Sequence, residues 1–215
     1  MNKQARYQFF LDHFINKKEI PLTELVYQTP FQLLIAVILS AQCTDKRVNI
    51  VTPPLFKKFP TPLILAKSSF EEVFPYIKSI SYPHNKTKYL IGTAKMVVGQ
   101  FNNSLPHDVQ ELQKLPGVGR KTAHVVGAIL YHTPTLGVDT HVFRVARRLG
   151  LAPQKATTPL AVEKELVEYI PKKDIIYVNQ WMVLHGRYTC IARQPKCNIC
   201  PLTPCCNYYH SRHHS

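Results

Sequence analysis

Apolar residues recur at intervals of three and four through most of the chain, and the strict alternation that marks strands is almost absent. An all-α protein is expected. In the first twenty residues, Tyr7, Phe10, Leu11 and Phe14 share one face of an amphipathic helix. After Pro30 the run "FQLLIAVILSAQ" is apolar on nearly every side, as a helix at the centre of a bundle requires. Pro53, Pro54, Pro60 and Pro62 should divide the following region into short pieces. Ser68 and Glu71 then have the spacing of a capping box that opens a helix through Ile77. From about Lys86, residues Leu90, Ala94, Val97, Val98 and Phe101 line another helical face. Two helices, "DVQELQKL" and "RKTAHVVGAILY", flank a glycine-containing turn. Asp139 or Thr140 opens the next helix, which Gly150 ends, and Thr158 with Pro159 starts another. "DIIYVNQWMVLHGRY" is the last long helix, followed by a cysteine-bearing loop and a disordered tail, "HSRHHS".

At 215 residues with 45% hydrophobic content, the chain can bury a substantial core. Lysine and arginine outnumber the acids 27 to 13, a net charge of +14 that points to a polyanionic partner. The N-terminal residues lack the layout of a secretory leader, and the most apolar run, Phe31 to Ala41, is too short to span a bilayer. A soluble intracellular protein without a membrane partner is therefore expected, cytoplasmic if bacterial. In such a compartment the terminal cysteines suggest metal rather than disulfides. Cys190, Cys197, Cys200 and Cys206 form C-x6-C-x2-C-x5-C, a set of four thiolates that suits either a structural zinc or a [4Fe-4S] cluster. Cys205 is a spare neighbour and Cys43 a packing residue.

The turn "LPGVGRKTA" (Leu115 to Ala123) superficially suggests a nucleotide-binding P-loop. Its glycines are only one residue apart, however, Arg120 separates Gly119 from Lys121, and no strand precedes it. The alternative uses the backbone. Leu115, Pro116, Gly117, Val118 and Gly119 form a hairpin between helices, and amides opening the next helix can point at a phosphate oxygen. Such contacts position a duplex without reading its sequence, and the hairpin alone does not imply catalysis.

Five segments together carry a more specific message: "LSAQCTD", "LPGVGRKTA", "GVDTHVFRVARRLG", "LHGRYTCIARQPKC" and the terminal cysteines. In this order, and over nearly the whole chain, they resemble the endonuclease III family of DNA glycosylases. The resemblance implies a bifunctional enzyme of base excision repair that removes oxidised pyrimidines from damaged double-stranded DNA and cuts the strand by β-elimination. Lys121 matches the family's nucleophile, whose amine forms a Schiff base at C1′, and Asp139 its essential aspartate. Asp139 also suits the N-cap of the following helix. Gln42 matches the residue that enters the space left by the flipped nucleotide. Tyr82 and Pro83 stand where many members carry a leucine wedge, so Tyr82 is the candidate wedge here.

The resemblance also selects the [4Fe-4S] cluster for the four cysteines, with Arg193 and Lys196 on the intervening loop reaching DNA phosphates. Leu115, Gly117, Val118, Gly119 and Arg120 make the hairpin contacts. It implies two lobes with the DNA cleft between them, residues 21–132 as the central helical domain and residues 1–20 with 133–215 as the cluster domain. Lys121 and Asp139 would face each other across that cleft, and the enzyme is expected to work as a monomer. A monofunctional adenine or mismatch glycosylase would not need Lys121. A non-enzymatic hairpin DNA-binding protein leaves Lys121, Asp139 and Gln42 unexplained, and a zinc-binding regulator would be colourless where an iron–sulfur protein is yellow-brown.

Overall fold

The structure, a computed structural model, describes residues 1–15 and 23–213. The expected boundary near Pro21 and the last two residues of "HSRHHS" lie outside the described residues. Among those described, helices connected by turns account for all the regular structure, and no helix is long and apolar enough to cross a membrane. The chain divides into two compact units, one from Thr23 to Thr133 and one combining Met1–Leu22 with Pro134–Ser215.

The chain opens with α1 (Lys3–Ile15) and then enters the first unit, which contains α2 (Pro30–Ser40), α3 (Asp45–Lys58), α4 (Pro62–Ala66), α5 (Phe70–Ile77), α6 (Pro83–Gln100), α7 (Val109–Gln113) and α8 (Arg120–Tyr131). Thr29 caps α2 by accepting from the Gln32 N–H, and Pro30 begins the helix, where its missing N–H costs nothing. Nine consecutive residues, Phe31 to Leu39, are buried because α3, α6 and α8 surround this helix. The sequence pattern is therefore explained by position: only a helix enclosed on all sides can carry apolar residues all round.

Three local expectations are corrected. Pro53 and Pro54 do not break the chain but lie inside α3. Both are exposed, as is Ile50, so carbonyls deprived of a helical partner meet water. The opposite face, Val48, Val51, Thr52 and Leu55, is buried and holds the helix together. The capping box is Ser69 with Glu72, one residue later than expected, because the Ser68 hydroxyl donates back to Ile64 O and belongs to the end of α4. The tail is not simply disordered. Asn207–His213 form a helix, α12, that packs on α9.

The second unit adds to α1 the helices α9 (Thr140–Leu149), α10 (Pro159–Tyr169), α11 (Lys172–Tyr188) and α12, with two short 3-10 turns at Cys197–Ile199 and Thr203–Cys205. Phe14 stacks on Trp181 at 5.3 Å, which places Trp181 in the core. The buried Tyr7 hydroxyl donates to Leu151 O and Glu165 O. Burial, followed by the charges of Glu165, Tyr169 and Glu168, pushes this phenol far above its ordinary range, so it remains a neutral donor. The N-terminal helix is thereby tied to α10 and α11, far along the chain.

Candidate functional site

The hairpin is built on α6. Pro116 O accepts from the Thr93 hydroxyl at 2.7 Å, and a Cβ at Gly92 would lie 3.1 Å from the Pro116 ring. Leu115 and Val118 are buried, so their side chains serve the core and only their backbones remain for a ligand. The two glycines have different reasons to be there. Gly117 has φ +76°, and a Cβ would meet three Tyr89 side-chain atoms at 2.8 Å. Gly119 has an ordinary φ of −82°, and a Cβ there would meet nothing within 4 Å. Gly119 is the N-cap of α8, and it brings no side chain to close off the helix start. A cap of this kind leaves room for an anion to approach amides at the positive end of a helix. Arg120 and Lys121 follow as the first two residues of α8, both exposed.

In the other unit Asp139 is the N-cap of α9. One carboxylate oxygen, Oδ1, accepts from the His141 and Val142 amides, each at 2.8 Å. This fixes the orientation of the carboxylate, which is half-buried. His141 Nδ1 lies 3.1 Å from an Arg144 guanidinium nitrogen, so the imidazole is engaged with α9 itself.

The four cysteines of the predicted ligand set line one small cavity of about 20 Å³, together with His185, Lys196, Tyr208 and Tyr209 among others. Burial holds the Cys200 and Cys206 thiols above their usual range, and neighbouring thiols of the set push in the same direction. Four sulfur donors gathered in one cavity are soft ligands of the kind that metal ions and iron–sulfur groups take, so the donor set fits a metal group. Among the described residues no three His, Cys, Asp or Glu side chains close around a single ion-sized point. Cys205 faces away: its thiol donates to Leu202 O, and burial pushes it up to about 12.

Sequence reasoning placed His185 and Arg187 near this irregular segment but missed the two arginines of α9 that hold it. Arg144 donates to Cys190 O and Gly186 O, and Arg148 to Ile191 O and Ala192 O, with one nitrogen 3.4 Å from Cys190 Sγ. His185 Nε2 lies 3.7 Å from Cys200 Sγ. The only advance signal was an arginine-rich helix preceding a segment with few hydrogen-bond partners of its own. Arg193 and Lys196 are exposed on the loop so held. A separate cavity of about 580 Å³ between α9 and α12 contains three arginines, but Arg144 and Arg148 are committed to these carbonyls and Arg147 to Gln154.

Gln42 and Tyr82 are both exposed, and both have the left-handed backbone that non-glycine residues seldom adopt, with φ 54° each. They are joined through Ser81, whose side-chain hydroxyl donates to the Gln42 backbone carbonyl at 2.9 Å.

The model of the HhH-GPD superfamily of base excision DNA repair proteins matches residues 35–172. The endonuclease III of Rickettsia felis is 46% identical over 198 residues, covering 92% of each chain. That of Escherichia coli K12 is 41% identical over 208 residues, covering 97% of each. Among solved structures, a trapped endonuclease III–DNA covalent intermediate, an estranged-adenine complex, superimposes with a TM-score of 0.89 at 41% identity and covers 99% of both chains.

Proposed function

This chain belongs to the endonuclease III family, within the HhH-GPD superfamily of base excision DNA repair proteins, and we propose that it is a bifunctional DNA glycosylase and abasic-site lyase acting on oxidised pyrimidines in duplex DNA. The observation that carries this reading is the exposed Lys121 in the first turn of α8, directly after a hairpin anchored by Leu115, Val118 and Thr93. Rigid support places the amine, and the glycine cap admits a phosphate beside it. The relative of known structure that was trapped covalently on DNA agrees with amine chemistry of this kind.

The neutral Lys121 amine attacks C1′ of the flipped nucleotide, the C1′–N bond breaks, and the base leaves with the bonding electrons and takes up a proton. The C1′–O4′ bond then breaks as the amine becomes a protonated imine, and O4′ leaves with the bonding electrons and takes up a proton. Loss of a C2′ proton then expels the 3′ phosphate by β-elimination, and water releases the unsaturated sugar from Lys121. Asp139, oriented by two amides, stabilises positive charge developing on the sugar as the base departs. Gln42 and Tyr82 enter the space that flipping opens, Gln42 facing the orphaned base and Tyr82 stacking as the wedge.

Cys190, Cys197, Cys200 and Cys206 would hold a [4Fe-4S] cluster, which when bound cross-links the terminal segment and supplies the positive charge their thiolates require. Arg193 and Lys196 then present their charges to DNA phosphates from a fixed loop. The enzyme works as a single chain. Borohydride reduction with duplex DNA containing thymine glycol should give a covalent adduct that disappears in Lys121→Ala. Release of base by the wild type without any adduct would sink the lyase assignment.

A further inference from the structure

The one lysine that is almost wholly buried among the described residues, Lys86, lies at the base of the Gln42 and Tyr82 turns. It is 4% exposed, and its ammonium has three partners for its three protons: Leu39 O at 2.8 Å, Ala41 O at 2.6 Å and the Ser81 hydroxyl at 3.2 Å. Two of these partners are carbonyls at the C-terminal end of α2, where helical donors have run out and the dipole favours a cation. Ser81 passes the connection on, donating to Gln42 O, while the Lys86 amide bonds back to Tyr82 O at 3.1 Å. A closed circuit thus runs from the end of α2 through Gln42, Ser81 and Tyr82 into α6.

We infer that Lys86 is a positioning residue that locks the Gln42 and Tyr82 turns into one rigid probe, so that both enter the duplex together when a damaged nucleotide is extruded. The inference rests on the reading of these two residues as the gap-filling pair. Three observations support it. Residues in the left-handed region persist only where their surroundings over-determine them, and here two such residues share one clamp. The clamp is buried: Lys86 is 4% exposed with three hydrogen-bond partners, and burial draws its amine below the ordinary range, opposed by the nearby Cys43, so a lost carbonyl contact is costly. Finally, α6 begins at these turns and also supports the hairpin through Thr93, Gly92 and Tyr89, so one helix carries the probe and the phosphate grip.

The test compares two substrates of the full-length protein in single-turnover kinetics. One is duplex DNA with thymine glycol opposite adenine, which requires extrusion; the other is a single-stranded oligonucleotide with a preformed abasic site, which does not. In Lys86→Met, base release from the duplex should fall about tenfold or more while strand cutting on the single strand changes less than about twofold. Ser81→Ala, a milder variant that leaves the α2 carbonyls with their ammonium, should show the same selectivity with a smaller loss. Lys86→Arg should recover part of the duplex activity. Combined with Tyr82→Ala, Lys86→Met should add little further loss. Equal loss on both substrates in Lys86→Met and Ser81→Ala assigns the clamp to general stability and overturns the inference, as would full additivity with Tyr82→Ala. Should Gln42→Ala and Tyr82→Ala themselves leave duplex base release intact, the gap-filling reading falls and the inference with it. Selective loss in those two variants but none in Lys86→Met removes only the inference.

Discussion

Between Thr23 and Thr133 the core is centred on one nearly continuous apolar stretch, with Phe31 and Leu33 to Leu39 buried in sequence and the apolar faces of neighbouring helices packed around them. In the other unit the core is assembled from distant pieces, Phe14 against Trp181 and Tyr7 against Leu151 and Glu165, and its last segment has little regular structure. There the carbonyls of Gly186, Cys190, Ile191 and Ala192 are satisfied by Arg144 and Arg148. One unit is thus stabilised by continuous side-chain packing, the other by long-range ties and, in the reading proposed above, by a metal group. The contrast locates where each unit is vulnerable.

The largest expected effect follows from removing one of the proposed cysteine ligands. Cys200→Ala should abolish hydrogen-exchange protection through residues 189–206 while amides of α2, α6 and α8 remain protected. Equal loss in both units would erase the distinction. Next, Leu39→Ala, at the fully buried centre of the first unit, should cost about 2–5 kcal/mol in denaturant titration, because packing around α2 leaves little room to collapse. The paired glycines come third. Gly117→Ala should cost about 1–3 kcal/mol through its positive φ and the Tyr89 contact. Gly119→Ala should stay within about 1 kcal/mol yet weaken duplex binding measured by anisotropy, since its Cβ would point into open space, the space a phosphate takes in the reading proposed above.

The smallest stability effect is at Asp139. Asp139→Ala should cost about 1 kcal/mol as a lost cap, whereas Asp139→Asn keeps the cap and should change stability by only a few tenths of a kcal/mol. Base release should nevertheless collapse in Asp139→Asn. Full base release in that variant would leave Asp139 with capping alone.

Most helices were legible because their signals are local. Asp139, Gly150 and Thr158–Pro159 each mark an end within a few residues, and α9 begins and stops where those residues say. The same local logic failed at Pro53 and Pro54, where burial of the opposite face decides, and at Ser68, whose hydroxyl belongs to the preceding helix. The helix α12 was missed because its stability comes from packing on α9 rather than from its own composition. Candidate chemistry was legible as residue types in a familiar order. The supporting residues were not: Lys86 and Leu39 are 47 positions apart, Arg148 and Ala192 are 44, and no spacing rule connects such pairs. Reading Leu115 and Val118 as contact residues is narrowed in the same way, because burial leaves them only their backbones.

The stacking of Phe14 on Trp181 also has a consequence during synthesis. The ribosome makes α1 before every other described element, but the partner ring follows only after roughly 170 residues, some ten to thirty seconds later at about 5–20 residues per second. Until Leu136 and the residues after it emerge, Tyr7, Phe10, Leu11 and Phe14 form an apolar face without the partners that cover it in the folded chain, while the intervening unit can already fold. The nascent chain therefore presents a chaperone with a single adhesive helix tethered to a finished domain.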